Sequence, residues 1–164
     1  MEQPDPLQAA SGGFDVWVGG VPHARWIMDG MSSKNVELVH RIYDRWAEGD
    51  FRAGRELLDP NITTVWAQEF PTAGIYHGPD GHAAAMREWL SAWTDFRLEA
   101  ERFVDLGDSV VVPFIVRARG RESGAGVERR WAHVWTLRNG RVVRFEVHLD
   151  VAEALRAVEP RESP

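Results

Sequence analysis

The chain has 164 residues, of which 44% are hydrophobic and 27% charged, and this composition fits one globular domain with a single substantial core. Its net charge of -6 argues against general nucleic-acid binding, and the absence of cysteine excludes disulfides and thiolate chemistry. No apolar run approaches the roughly 20 residues of a membrane span. We therefore expect a cytoplasmic protein that binds neither nucleic acid nor membranes.

The first 30 residues differ in character from the rest of the chain. They hold Pro4, Pro6, Pro22 and several glycines, and they show neither helical nor strand periodicity. They also lack the basic start and the apolar stretch of a secretory signal. We predict a flexible extension over 1–30 or a start codon assigned too far upstream, a folded domain over 31–158 and a short tail over 159–164.

Two helices are predicted at the start of the domain. Ser33 can cap the first helix and Gly49 ends it. Its apolar residues recur at spacings of three and four, and they therefore share one face: Val36, Val39, Tyr43 and Trp46. Asp50 can cap a second, short helix over Phe51–Leu58, which stops before Pro60.

The middle of the chain reads as a strand, a loop and a helix. Ile62–Gln68 has strand composition, and Glu69–Gly78 is predicted to be a loop. Pro79 suits the first turn of a helix that runs to about Trp93. The buried stripe of this helix is predicted to be Ala83, Met86, Leu90 and Trp93.

Beyond this helix the apolar pattern changes to a period of two residues. Four strands are predicted, over Phe96–Leu106, Asp108–Arg119, Val127–Leu137 and Arg141–Leu149. Asn139-Gly140 predicts a tight hairpin, because such turns need positive φ at both positions. Val151–Val158 is predicted to be a short final helix.

This order of elements predicts the α+β class, with helices laid on one face of a bent antiparallel sheet. Both faces of Asp108–Arg119 and of Val127–Leu137 are largely apolar, whereas a sheet with one wet face should alternate more cleanly. One face must cover the core and any pocket. We expect the other face to meet a second subunit, since large exposed apolar patches are rare on monomers, and we predict a homodimer through the outer sheet face.

Three segments resemble a known family. They are VELVHRIYDRWAEGDFRAGRELLDPNIT, YHGPDGHAAAMREWLSAW and AHVWTLRNGRVVRFEVHLDVAEAL, and they resemble the SnoaL-like polyketide cyclase group of the nuclear-transport-factor-2-like superfamily. The resemblance implies a cystatin-like α+β barrel, a cone-shaped curved sheet covered by helices on its concave side, which usually encloses a ligand cavity. It does not choose a reaction, because this superfamily includes isomerases, cyclases, dehydratases, epoxide hydrolases and non-catalytic domains.

The catalytic residues implied by the resemblance can be tested one by one. The three active residues of the ketosteroid isomerases correspond here to Ile42, Trp66 and Ala132, none of which can perform that chemistry. In the polyketide cyclases a strand aspartate assisted by a histidine takes up a proton. His133 matches the histidine, but the aspartate position falls at Val147, beside Glu146. A carboxylate that orients a histidine is an acid–base arrangement, so His133 and Glu146 are the candidate catalytic pair. The favoured alternative is a structural pair on the outer face, at the subunit contact.

The same alignment implies an aromatic cavity suited to a flat, small hydrophobic or aromatic molecule, although plain core packing would give the same pattern. Its candidate residues are Tyr43, Trp46, Trp66, Glu69, Trp89, Trp93, Arg117 and Phe145. Ile115 and Arg117 are expected to point inward. Arg117 would then hold a carboxylate, a phenolate or an enolate, or form a buried ion pair with Glu69 or Glu99, or lie at a basic rim.

The leading hypothesis is a small-molecule-binding domain that acts as a cofactor-free isomerase or cyclase by proton transfer on a carbonyl-containing or aromatic metabolite. The alternative is a ligand-binding or dimeric scaffold protein without chemistry, favoured by the loss of the isomerase residues. A weaker alternative is an epoxide hydrolase or dehydratase, which would need two inward carboxylates. We expect no cofactor and no metal, because His148 and Asp150 have no third ligand at a suitable spacing.

Overall fold

The computed structural model describes residues 33–158, together with the backbone of a two-stranded hairpin formed by β1 (Trp17–Val18) and β2 (Val21–Pro22). Apart from that hairpin, the predicted extension and the predicted tail lie outside the described residues. The boundaries of the domain therefore stay a prediction.

Three helices and seven further strands follow. The helices are α1 (Lys34–Ala47), α2 (Gly78–Ser91) and α3 (Val151–Val158), with a 3-10 turn at Arg55–Leu57. The strands are β3 (Leu58–Trp66), β4 (Gly74–His77), β5 (Trp93–Ala100), β6 (Val104–Asp105), β7 (Ser109–Gly120), β8 (Gly126–Arg138) and β9 (Arg141–His148). Ser33 caps α1 as expected, because its hydroxyl accepts a hydrogen bond from the Val36 amide at 3.1 Å.

The strands β3 to β9 form one curved, unclosed sheet in the order β4-β3-β9-β8-β7-β5, with β6 also paired to β7. All neighbours are antiparallel except β3 and β9, which run parallel. Asn139 and Gly140 turn the β8–β9 hairpin with φ of 54° and 77°. The predicted α+β cone is confirmed.

The sequence-based elements differ from the structure in several places. The helix predicted to run to about Trp93 ends at Ser91, and Trp93 begins β5. Phe51–Leu58 contains turns and one 3-10 turn in place of a helix. The predicted loop Glu69–Gly78 contains β4, which pairs with β3. The predicted strand Phe96–Leu106 is interrupted and divides into β5 and β6.

The main core lies between the inner face of the sheet and the helices α1 and α2. Its β7 residues are Val110, Val112, Phe114, Val116 and Ala118, and the register places Trp131, His133 and Trp135 of β8 beside them. The inward orientation expected for Ile115 and Arg117 is therefore wrong, because side chains alternate between the faces and the inner face holds the even-numbered residues. Trp66, Phe145 and Val147 do belong to the inner core, as expected.

The third helix packs on the opposite face of the sheet. Val151, Ala154 and Leu155 of α3 form a second buried cluster with four residues of β6, β7 and β8: Val104, Val111, Ala132 and Val134. The helices therefore occupy both faces. Because the chain covers this part of its own outer face, the apolar residues there no longer require a second subunit.

Candidate ligand-binding site

Three side chains at the centre of the core form a hydrogen-bonded chain. The Oη atom of Tyr43 on α1 lies 2.6 Å from Nδ1 of His133 on β8, and the indole Nε1 of Trp135 donates to the same Oη at 2.9 Å. All three residues are buried. Since unsatisfied buried polar groups are costly, these bonds fix the orientation of the three rings.

The bonding pattern determines where the protons lie. Burial raises the pKa of Tyr43 well above its usual value, so this phenol keeps its proton. Trp135 Nε1 can only donate, and the phenol proton therefore goes to Nδ1 of His133. Burial lowers the pKa of His133 well below 6.5, and a positive charge on His82 or His148 acts in the same direction whenever either ring is protonated. His133 is thus a neutral imidazole that carries its proton on Nε2.

His133 lines a small inner cavity whose walls are almost wholly apolar. The cavity has a volume of about 20 Å³ and is bounded by Phe51, Trp66, Met86, Trp89, Leu90, Phe96, Leu98, Phe114, Val116, Trp131, His133 and Val147. Binding sites for small organic molecules usually measure about 300–1,000 Å³. The aromatic cavity that the resemblance implies is therefore small inside the cone, because aromatic side chains fill most of the interior, as the alternative of plain core packing expects.

A much larger cleft lies next to this cavity. Its volume is about 530 Å³, and the residues 49–55, α2 and Trp135 form its walls. Phe51, Met86 and Leu90 line both the cleft and the inner cavity, and they stand between the two spaces. Trp46 Nε1 donates to the carbonyl of Ala53 at 3.3 Å and so holds the segment that carries Phe51 against α1.

His82 on α2 is a buried polar residue of the cleft that the sequence analysis missed. Its Nδ1 lies 2.9 Å from Oγ1 of Thr64, and its ring packs edge-on against Phe145 with a centroid distance of 5.2 Å. Phe145 in turn contacts His133, with a centroid distance of 4.8 Å. Burial, assisted by the charge of Arg55, lowers the pKa of His82 from 6.5 to about 4. His82 is therefore neutral at physiological pH.

The aromatic candidates from the sequence are distributed over both spaces. Trp46 lines the cleft, while Trp66 and Trp89 line the inner cavity. Tyr43 and Phe145 contact His133 directly. Trp93 packs against Trp89 and lines neither space.

Two charged candidates lie away from both spaces. Glu69 is exposed in the segment between β3 and β4. Arg117 lies on the outer face with 53% of its side chain exposed, and its guanidinium donates to Glu128 Oε1 at 2.7 Å and to Glu99 Oε2 at 3.3 Å. The predicted role of Arg117 as an inward ligand anchor is wrong for this reason.

The predicted pairing of His133 with Glu146 is also wrong. His133 lies opposite Val147 in the register, whereas Glu146 lies opposite Val134 on the outer face. There Glu146 contacts Arg144 at 3.2 Å and His148 at 3.3 Å. Its pKa is lowered by the hydrogen bond from His148 and by the charge of Arg144, which together outweigh the opposing effect of burial. Glu146 therefore cannot assist His133.

The described residues contain neither a helix long and apolar enough to cross a membrane nor a cluster of three or more potential metal ligands. The inner cavity has an imidazole in its wall but no carboxylate. The two neutral histidines are therefore the candidate proton-transfer groups of these two spaces, and the cleft is also lined by Asp50 and by arginines. Trp66 Nε1 is buried in the described structure without a hydrogen-bond acceptor.

Comparison with known proteins agrees with this fold. No curated protein matches the chain in sequence. A nuclear-transport-factor-2-like protein of unknown function from Burkholderia pseudomallei is 27% identical, with 78% of this chain and 99% of that chain covered and a TM-score of 0.65. A second such protein, from Burkholderia thailandensis, is 26% identical, with 76% and 97% covered and a TM-score of 0.60.

TerC, which was co-crystallised with polyporic acid, is 22% identical to this chain, with 76% of this chain and 99% of that chain covered and a TM-score of 0.63. At this identity the likeness shows the shared fold alone. The model of the SnoaL-like domain matches residues 39–145, which include most of α1, all of α2 and most of the sheet. The chain therefore belongs to the SnoaL-like domain family, within the nuclear-transport-factor-2-like superfamily.

Proposed function

We propose that this protein binds a small carbonyl-containing molecule in the cleft beside α2 and catalyses a proton transfer on it without a cofactor. The observation that carries the proposal is the pair of buried neutral imidazoles that contact the ring of Phe145. His82 lines the cleft and His133 lines the inner cavity. Two such groups can supply the base and the hydrogen-bond donor that enolisation requires.

His133 is the donor in this proposal. The hydrogen bond from the Tyr43 hydroxyl to Nδ1 holds the imidazole ring in place, and Trp135 Nε1 in turn donates to that hydroxyl. The Nε2–H of His133 lies in surroundings of low polarity. A neutral imidazole can stabilise a developing oxyanion without giving up its proton. Such a preorganised donor costs no reorganisation at the moment of reaction. The Nε1–H of Trp66, which lacks an acceptor, is a second donor in the same cavity wall.

His82 is the base. When Nδ1–H is donated to Thr64, Nε2 keeps its lone pair and can remove a proton from the carbon next to the carbonyl. The electrons of that C–H bond form the enolate double bond, and the carbonyl oxygen takes the negative charge. Return of the same proton to another carbon completes an isomerisation. A base with a pKa of about 4 suffices when the enolate is strongly stabilised.

The substrate must pass the three side chains that separate the two spaces. An inner cavity of about 20 Å³ admits a carbonyl group only if Phe51, Met86 and Leu90 move. Phe51 belongs to the segment between α1 and β3. Met86 and Leu90 lie on α2, and Met86 has an unbranched, flexible side chain. Loop and side-chain motion of this kind commonly completes an active site after the ligand has bound.

A second candidate function is ligand binding without chemistry. It is favoured by the same small volume, because a substrate confined to the outer cleft would not reach His133. TerC, which shares the fold, was co-crystallised with polyporic acid, and a pocket for an organic ligand is compatible with either function.

Deuterium exchange tests the proposal without knowledge of the natural substrate. Neutral cyclic ketones, beginning with 2-tetralone, are incubated with the protein in D₂O, and loss of the proton next to the carbonyl is followed by NMR. We expect exchange above the buffer rate, a loss of about 100-fold in His82→Gln and a similar loss in His133→Gln, as is usual for removal of an acid–base or oxyanion group. The control is His40→Gln, because His40 is exposed on α1.

The outcomes separate the two functions. Exchange that is unchanged in His82→Gln and His133→Gln would reject both assigned roles. Ligand binding by the wild-type protein with no exchange of any ketone would reject catalysis and favour the binding function.

The homodimer through the outer sheet face remains a proposal of its own. The exposed part of that face beyond α3 carries the ion pairs of Arg117 and Arg130 with glutamates. Light scattering at micromolar concentration tests it, and a strictly monomeric protein would reject it.

A further inference from the structure

The rim of the cleft carries three arginines from two different elements. Arg52 and Arg55 lie in the segment between α1 and β3, and Arg87 lies on α2. All three are exposed and line the same space of about 530 Å³. The arrangement places several guanidinium groups around one opening.

These arginines differ from those on the outer sheet face in their partners. Arg117, Arg130 and Arg144 each bond to a glutamate. Within residues 33–158, the side chains of the three cleft arginines form no ion pair and no hydrogen bond. The whole chain has a net charge of -6, so this local positive charge is not a consequence of a basic composition.

The positive charge of the three cleft arginines is not paired with the acidic residue that lines the cleft. Asp50 is the acidic residue among the described lining residues, and its Oδ2 accepts a hydrogen bond from Arg45 at 2.7 Å. Its Oδ1 accepts the backbone amide of Arg52 at 3.3 Å. Asp50 is therefore engaged in holding the turn after α1.

The lining residues that are more deeply buried in the cleft are mainly aromatic or aliphatic and not cationic. Phe51 is half-buried and the rings of Trp46 and Trp135 are buried, and all three line this space together with His82. A ligand that fills the cleft therefore meets cationic groups at the opening and aromatic groups inside. This combination fits an amphipathic molecule with one acidic group and a ring system.

We propose that the ligand of this cleft is an aromatic or alicyclic carboxylic acid, with its carboxylate bound by Arg52, Arg55 and Arg87 and its ring packed on Trp46 and Trp135. The inference rests on the proposed function for the place of the site, and it adds the class of the substrate. Guanidinium groups bind carboxylates through paired hydrogen bonds, which orients the ligand as well as attracting it. Its ring is thereby directed toward His82 and the inner cavity.

Calorimetric titration with a matched pair of compounds tests this inference. We expect 2-naphthoate to bind about tenfold more tightly than 2-naphthamide at low ionic strength, because the two differ in charge and not in ring shape. Added salt should reduce this preference, since the arginines are exposed. The triple variant Arg52→Gln, Arg55→Gln, Arg87→Gln should bind both compounds equally, while Arg156→Gln, which removes an exposed arginine on α3, should keep the preference.

Each other outcome overturns the inference. Equal affinity for the two compounds, or absence of binding for both, would show that the cleft does not select organic acids. Inorganic phosphate that competes as well as naphthoate would show that charge alone is recognised and not a carboxylate on a ring. If 2-tetralone exchanges but 2-naphthoate is not preferred, the proposed function stands and this inference is rejected. If 2-naphthoate is preferred but 2-tetralone does not exchange, this inference stands and catalysis is rejected.

Discussion

Acidification should destabilise the fold through the buried histidine of the cleft. His82 has a pKa of about 4 in the folded protein, against 6.5 for the ordinary side chain. Above pH 6.5 both the folded and the unfolded chain hold this imidazole neutral. Between pH 6.5 and about 4 the unfolded chain binds a proton that the folded chain does not, so the free energy of unfolding falls as the pH falls.

The magnitude follows from the size of the shift. One proton of difference changes the free energy of unfolding by about 1.4 kcal/mol per pH unit, and the full shift of His82 corresponds to about 3 kcal/mol. Below pH 4 both states are protonated and the loss is complete. The lowered pKa of His133 adds a contribution of the same sign.

Urea unfolding at a series of pH values measures this effect. The wild-type protein is compared with His82→Gln, since the titrating groups that do not interact with His82 cancel in the difference. His133 does interact with it, because the charge of His82 helps to lower the pKa of His133. The wild-type protein should lose about 3 kcal/mol more than the variant between pH 7 and pH 4. His40→Gln should behave as the wild type, because His40 is an exposed residue on α1. An identical pH dependence for wild type and His82→Gln would refute the reasoning.

Three further predictions concern individual side chains. Tyr43→Phe should lower the free energy of unfolding by about 2–4 kcal/mol in urea titrations, because it leaves Trp135 Nε1 and His133 Nδ1 buried without a partner. A loss below about 1 kcal/mol would contradict the hydrogen-bonded chain. Gly54→Ala should cost about 1–3 kcal/mol more than Gly49→Ala in the same assay. Both glycines have a φ above 90°, so the backbone strain of the substitution is similar at the two positions. At position 54 an added Cβ would lie 2.8 Å from Ile42 Cδ1, whereas at position 49 it would meet nothing within 4 Å. Equal losses of stability would argue against the contact with Ile42. Arg117→Ala should change the free energy of unfolding by no more than about 1 kcal/mol, since the ion pairs of Arg117 are exposed. The affinity for 2-naphthoate should not change, and a loss of affinity would show that Arg117 contributes to the ligand site.

Local periodicity was sufficient to predict most of the secondary structure. The spacing of Val36, Val39, Tyr43 and Trp46 gave the buried face of α1 correctly, and Asn139-Gly140 gave the β8–β9 hairpin. Phe51–Leu58 failed as a helix because Gly54 adopts a left-handed conformation there, with a φ of 94°. Gly54 also packs closely against Ile42, since an added Cβ would lie 2.8 Å from Ile42 Cδ1, and the local sequence does not reveal this contact.

The faces of β7 were not predictable from the alternation alone. Val110–Val116 is apolar at almost every position, because α1 and α2 cover one face and α3 covers part of the other. With both faces buried, the period of two carries little information on which side is inward. The error at Arg117 follows from that ambiguity, and so does the mistaken pairing of His133 with Glu146.

The candidate site was only partly predictable for a different reason. His133 was found through its family resemblance, but its partner Tyr43 is 90 residues away in sequence. His82 lies between a glycine and three alanines near the start of α2. Its contacts with Thr64 and Phe145 join residues that are distant in sequence, so no local pattern predicts them. Arg52, Arg55 and Arg87 become neighbours only through the approach of α2 to the segment after α1.

The parallel pairing of β3 with β9 has a consequence for synthesis on the ribosome. Thr64 of β3 is aligned with Phe145 of β9, so the inner edge of β3 has no partner until nearly the whole chain has emerged. A nascent or truncated polypeptide that ends before β9 exposes unpaired edges on both β3 and β8. Exposed strand edges promote aggregation, and late pairing between distant segments slows folding. Premature termination upstream of Arg141 should therefore yield an insoluble product and not a smaller working domain.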